Sequence, residues 1–142
     1  MIKRANNKKK KGFTLIELII VLAVMAIIAL IAIPNFAAVR ENSKIKADKQ
    51  SCETIKRTVL MLVSDETVTV TANTTISFTP GTAITKNENN GLSQDEAGKI
   101  EEALKEVKAP QGPKEFKKGE DKATTYEITI NADGSVQPVT TK

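Results

Sequence analysis

From Phe13 to Ile33 the chain runs for 21 residues with Glu17 as its only charged side chain. No other feature restricts the fold so tightly. At a helical rise of about 1.5 Å per residue, such a segment spans roughly 30 Å, the thickness of a bilayer's hydrocarbon core. A carboxylate placed there costs on the order of 3 kcal/mol, less near the interface, so Glu17 calls for a partner or a role. Directly ahead of the run stand Lys8, Lys9, Lys10, Lys11 and Gly12. A secretory signal peptide does not fit: its apolar region is shorter and ends in an A-x-A-like exit, whereas no two alanines of this chain lie two residues apart. A plain single-pass anchor fits the length and the lysines but gives no account of Glu17.

Charge sets the orientation. The chain is +4 overall, from 21 Lys and Arg against 17 Asp and Glu. Six of those cations (Lys3, Arg4 and Lys8 to Lys11) fall in the first twelve residues, which hold no acid, so the side chains beyond them sum to −2. The basic cluster is expected to stay cytoplasmic by the positive-inside rule, with the bulk of the chain facing outward. Once the cluster is set aside, net charge gives no reason to expect nucleic-acid binding.

The segment Gly12-Phe13-Thr14-Leu15-Ile16-Glu17 behind a lysine-rich leader resembles the processing motif of type IV prepilins and the related pseudopilins. The detailed resemblance covers roughly Lys8 to Phe36. It implies that a membrane-bound prepilin peptidase cuts between Gly12 and Phe13 and methylates the new amino terminus at Phe13. Glu17 then becomes the fifth mature residue, and Pro34 falls where the family carries a helix-kinking proline. It further implies a salt bridge between Glu17 and the Phe13 α-amine of a neighbouring subunit in a homopolymeric helical filament. An assembly platform and an ATPase motor are the implied partners. The physical chemistry agrees, because an amine and a carboxylate in low dielectric attract strongly and either is costly unpaired.

Beyond the apolar run the helical pattern continues. Ala23, Ala26, Ala29 and Ala32 recur every three residues, a spacing of small side chains that lets helices approach closely in lipid. Pro34 removes a backbone donor and predicts a kink or local melting. Ile45, Cys52, Ile55, Val59 and Leu62 then form one apolar stripe of an amphipathic helix. Lys44 with Asp48, Lys49 with Glu53, and Glu53 with Arg57 stand four apart, as pairs on a solvated surface would. One helix from Phe13 to about Val63 is expected. The resulting division is a removed leader (1–12), a transmembrane or filament-core half-helix (13–35), an amphipathic half-helix (36–63) and a head (64–142).

Within the head, Thr67 to Thr71 alternates like a strand, and Ile76 to Phe78 before Pro80-Gly81 reads as a second. Lys86 to Gly91 is a polar loop. Ser93 and Glu96 form a capping box that opens a helix with apolar positions Ala97, Ile100, Ala103, Leu104 and Val107, ended by Ala109-Pro110. Gln111 to Lys122 is a connector. Thr124 to Ile130 alternates again, and Asn131-Ala132-Asp133-Gly134 turns it into a terminal hairpin with Ser135 to Val139, where Pro138 suits an edge strand only. With few aromatics, a head this size must lean on the Ile45–Leu62 stripe for its core. The expected class is α+β: a long N-terminal helix against a small antiparallel sheet with one extra helix, similar to the pilin fold.

No enzymatic chemistry is expected. The chain has no His and a single Cys, so the usual general base and a thiol–imidazole dyad are missing. Cys52 lies on the apolar stripe and reads as a small hydrophobe. No cofactor and no metal are expected. Some pseudopilins hold calcium in C-terminal loops, which would direct attention to Glu120, Asp121 and Asp133, although no ligand pattern supports a site. The functional expectation is a type IV pilin, resident in the cytoplasmic membrane before assembly and on the cell surface after it. The alternatives are a major pseudopilin of a secretion or DNA-uptake system and, from another class, a membrane-tethered binding module that never polymerises.

Overall fold

The computed structural model describes residues 11–86 and 91–142. The leader residues Lys8, Lys9 and Lys10, and most of the polar loop after Lys86, lie outside the described residues. The structure falls into two units, one ending at Ala38 and one covering Val39–Lys142.

Helix α1, Leu15–Ser64, is 50 residues long and matches the expected single helix within two residues at each end. In the first unit its side chains are exposed on every side, from Leu15 through Phe36. Its most apolar 18-residue window has a mean hydropathy of 3.2, long and apolar enough to cross a membrane. Pro34 lies inside α1, and the helix continues through it without interruption. The missing N–H leaves the Leu30 carbonyl without its usual helical donor.

The second unit is built on a four-stranded antiparallel sheet in the order β2-β1-β3-β4. Its strands are β1 (Thr74–Phe78), β2 (Thr85–Lys86), β3 (Tyr126–Ile130) and β4 (Thr140–Thr141). The central pair is in register with Thr74 opposite Ile130, Ile76 opposite Ile128 and Phe78 opposite Tyr126. Since side chains alternate along a strand, these six share one face, and all six are buried. The Phe78 and Tyr126 rings stack with centroids 6.3 Å apart. Cys52, Ile55 and Val59 of α1 join the same core. Thus the stripe does supply the hydrophobic partner that the small head needs, with Leu62 packed at its margin.

Helix α2, Gln94–Ala103, starts at the expected capping box. The Ser93 hydroxyl accepts the Glu96 N–H at 3.2 Å, and the Glu96 carboxylate accepts the Ser93 N–H at 2.8 Å. Ala97, Ile100 and Leu104 are buried. Three expectations need correction. The α2 helix stops at Ala103, short of Ala109-Pro110, because Leu104, Lys105 and Val107 turn their N–H groups back to carbonyls three residues earlier. Thr67 to Thr71 is not a strand. Its N–H groups are claimed one by one: Val68 by the Leu62 carbonyl at 3.1 Å, Thr69 by Glu96 at 2.9 Å and Thr71 by the Gly91 carbonyl at 2.9 Å. The terminal hairpin forms at the expected turn, where Gly134 takes φ 84°. Its regular strand is Thr140–Thr141, however, and Ser135 to Val139 contributes only a bridge at Val136. Pro138, having no N–H, interrupts the ladder there.

Two outcomes follow. Ile55→Ala should cost about 2–5 kcal/mol through the cavity it opens, read from urea unfolding of detergent-solubilised protein by Tyr126 fluorescence, whereas exposed Met61→Ala should stay within about 0.5 kcal/mol. Glu96 is held down to about 2 by the Thr69 hydroxyl first, then by Ser93 and the Thr69 backbone. A depressed carboxyl contributes stability that is complete above its unfolded value, about 4.3, and is lost as pH falls through the folded value. Glu96→Gln, which keeps the cap but cannot titrate, should therefore flatten the decline in urea midpoint below about pH 4.5.

Candidate functional site

Chemistry-bearing groups gather where α1 begins. Lys11, Gly12, Phe13 and Thr14 are outside any regular element and exposed, with Phe13 at 86 %. Among the described residues, a Cβ built on Gly12 would meet nothing within 4 Å. Helix α1 takes over within two residues. The Thr14 carbonyl accepts the first helical bond from the Leu18 N–H at 3.3 Å. The Thr14 hydroxyl accepts the Glu17 N–H at 3.3 Å, while the Glu17 carboxylate accepts the Thr14 N–H at 2.7 Å and the Thr14 hydroxyl at 2.8 Å. This is a second capping box, with Thr14 at the cap and Glu17 three residues into the helix. Such a cap is worth about 0.5–2 kcal/mol and satisfies donors that lipid could not. Within this chain, then, Glu17 is not a bare charge. Its signal, Thr three residues before Glu, stands in the sequence and is masked when Glu17 is read as an unpaired acid.

The structure brings Gly12, Phe13 and Glu17 into one short exposed region together with Thr14. Pro34 stands apart from them, exposed, further along α1. From residue 15 to residue 39 the large apolar side chains offer an unbroken exposed surface, including Leu18, Leu22, Ile28 and Phe36.

In the second unit one carboxylate departs from expectation. Asp48 is not a partner for Lys44 on a solvated face. It is 2 % exposed and accepts the Gln111 N–H at 2.9 Å and the Gly112 N–H at 2.7 Å. Gly112 approaches so closely that a Cβ there would lie 2.9 Å from the carboxylate. The connector is accordingly docked, with Pro110, Gly112 and Pro113 buried. Glu115 and Phe116 follow in left-handed conformations, φ 48° and 59°, and Lys49 lies 5.5 Å over the Phe116 ring rather than on Glu53. Glu53 and Arg57 do pair on the exposed face, at 3.1 Å. The position of Asp48 was readable: Ile45, Asp48, Cys52, Ile55 and Val59 step by three and four along one face.

Cys52 is buried, and that burial pushes its thiol up to about 12, as suits a packing residue. Among the described residues no group of three or more Cys, Asp or Glu side chains is placed to hold a metal ion. Asp133 is spent on its own turn, accepting the Ser135 N–H at 2.9 Å and the Ser135 hydroxyl at 2.6 Å.

Residues 7–33 match the family model described as the prokaryotic N-terminal methylation motif. The chain is similar to prepilin peptidase-dependent protein A of Clostridium perfringens (strain 13 / Type A), at 39 % identity over 105 residues, 72 % of either chain. No solved structure matches.

Asp48→Ala would leave two amide donors of the docked connector without an acceptor. It should destabilise the protein by about 3 kcal/mol, and hydrogen exchange should show the Gln111 and Gly112 amides opening faster than the amides of β3.

Proposed function

This chain belongs to the type IV pilin and pseudopilin family, a family of structural proteins, and on that premise we propose that it is the subunit of a type IV pilus. It is made as a single-pass precursor in the cytoplasmic membrane with its amino terminus cytoplasmic. Prepilin peptidase cuts between Gly12 and Phe13 and methylates Phe13. The mature chain then leaves the membrane, driven by an assembly platform and an ATPase motor, and enters a helical homopolymer on the cell surface. Residues 13–35 form the filament core, 36–63 carry the head, and 64–142 face outward. Lys8 to Lys11 hold the leader on the cytoplasmic side during insertion.

The observation that carries this reading is the processing motif at the foot of α1, with an exposed peptide bond followed by an apolar helix that buries none of its first half. Such a surface is satisfied only by lipid or by other apolar surfaces, and a filament substitutes the second for the first. The relative's name, prepilin peptidase-dependent, supports the processing step. Glu17 supplies the registry. Cleavage creates an α-amine at Phe13, and a cation seeking a carboxylate in low dielectric fixes how far one helix slides along the next. Pro34, which leaves one helical carbonyl without a donor, gives the helix a point at which it can bend to fit its neighbours.

Glu17→Gln removes the charge and leaves the capping side chain able to accept. The variant should be cut and methylated like the parent but remain in the membrane fraction, with no filaments recovered by shearing the cells. Filaments at the parental yield would overturn the registry role.

A further inference from the structure

Both bonds that Thr14 donates to Glu17, from its N–H and from its hydroxyl, land on Oε2, and among the described residues none is donated to Oε1. Resting on the pilin reading above, we propose that Thr14 is a positioning residue for assembly: it pins one oxygen of Glu17 so that the other faces outward to receive the α-amine of the next subunit.

The physical case begins with the freedom of a glutamate. An exposed Glu has three side-chain torsions, and ordering them on binding opposes the contact that orders them. Thr14 restricts them beforehand, because the capping box closes a ring between the cap residue and the third helical residue. The two anchors on Oε2 also consume the acceptor that a neighbouring amine would otherwise meet in competing geometries. The site is accordingly monodentate and directional, as a contact that sets register needs to be. The cap lies on the mature side of the Gly12–Phe13 bond, so cleavage leaves Thr14 and Glu17 in the same chain, with the new amine one residue ahead of them. That amine is tied to a chain whose helix starts at Leu15. Offered to a neighbour, it meets an already aimed oxygen.

The Thr14 hydroxyl is the separable part, since the backbone N–H persists in any variant except proline. Thr14→Val keeps the shape and the β-branching but deletes the hydroxyl, and Thr14→Ser restores it. The full-length variants are to be expressed in the native host in place of the parent, with two readouts: intact mass for cleavage and methylation, and the yield of sheared polymer. Thr14→Val should be processed at the parental rate and should lose roughly ten- to a hundredfold in polymer yield, the factor that the net contribution of one hydrogen bond to a charged group corresponds to. Thr14→Ser should return within about twofold of the parent, because serine caps as well as threonine does. Parental polymer yield from Thr14→Val would overturn this proposal and leave the pilin reading intact. Slowed processing of Thr14→Val would also overturn it, by moving the hydroxyl's role to the peptidase step. So would failure of Thr14→Ser to rescue, because the hydroxyl would then not be the agent. A parent chain that is neither cut nor polymerised would sink the pilin reading itself.

Discussion

A helix that is apolar on every side from Leu15 to Phe36 imposes one constraint on everything else: its surface must be taken up by lipid or by other protein. At about 25 cal/mol per Å² of apolar surface removed from water, even a few such side chains outweigh the net stability of a small domain. Leaving the segment in water is therefore not an available state. On the function proposed above, membrane insertion before assembly and helix-to-helix packing after it are two answers to the same requirement. Thr14 and Glu17, the polar side chains at its start, satisfy each other in a capping box, and the exposed residues Gly12, Phe13 and Thr14 separate the helix from Lys11.

The second half of the same helix solves a different problem. A head with one tyrosine and no tryptophan has too little bulk to enclose its own core. It uses α1 as the floor, with Cys52, Ile55 and Val59 set against Ile76, Phe78, Tyr126 and Ile128. Buried Asp48 then fixes the connector to that floor through two amide donors. The carboxylate is stable there because its charge is met by donors at hydrogen-bonding distance; an unpaired charge in that place would be costly. One helix thus presents an unsatisfied apolar surface at one end and a completed core at the other.

How far the sequence discloses this depends on whether the deciding interactions are local. The α1 stripe, the Ser93–Glu96 cap and the alternation of Tyr126, Ile128 and Ile130 are periodic or short-range, and all three stand in the structure as read. Thr67 to Thr71 carries a strand-like alternation, yet its amides are taken by Leu62, Glu96 and Gly91, partners that no local pattern indicates. Ser135 to Val139 fails as a regular strand for a local reason, the missing donor of Pro138, and pairing resumes two residues later. For Asp48, opposite charges four apart suggest a surface pair, whereas its register on the buried stripe, three residues from Ile45 and four from Cys52, points inward. At the amino-terminal site, Gly12, Phe13 and Glu17 were legible as a motif. Thr14 stands in the same motif, but its hold on Glu17 emerges only from the structure.

The central claim is that this chain is cut at Gly12–Phe13 and built into a surface polymer. The most direct test is the intact mass of the protein in the fraction sheared from the surface of the native host. The account predicts a species that begins at Phe13 and is heavier by one methyl group. A chain that retains Met1 to Gly12 and is confined to the membrane fraction would contradict it.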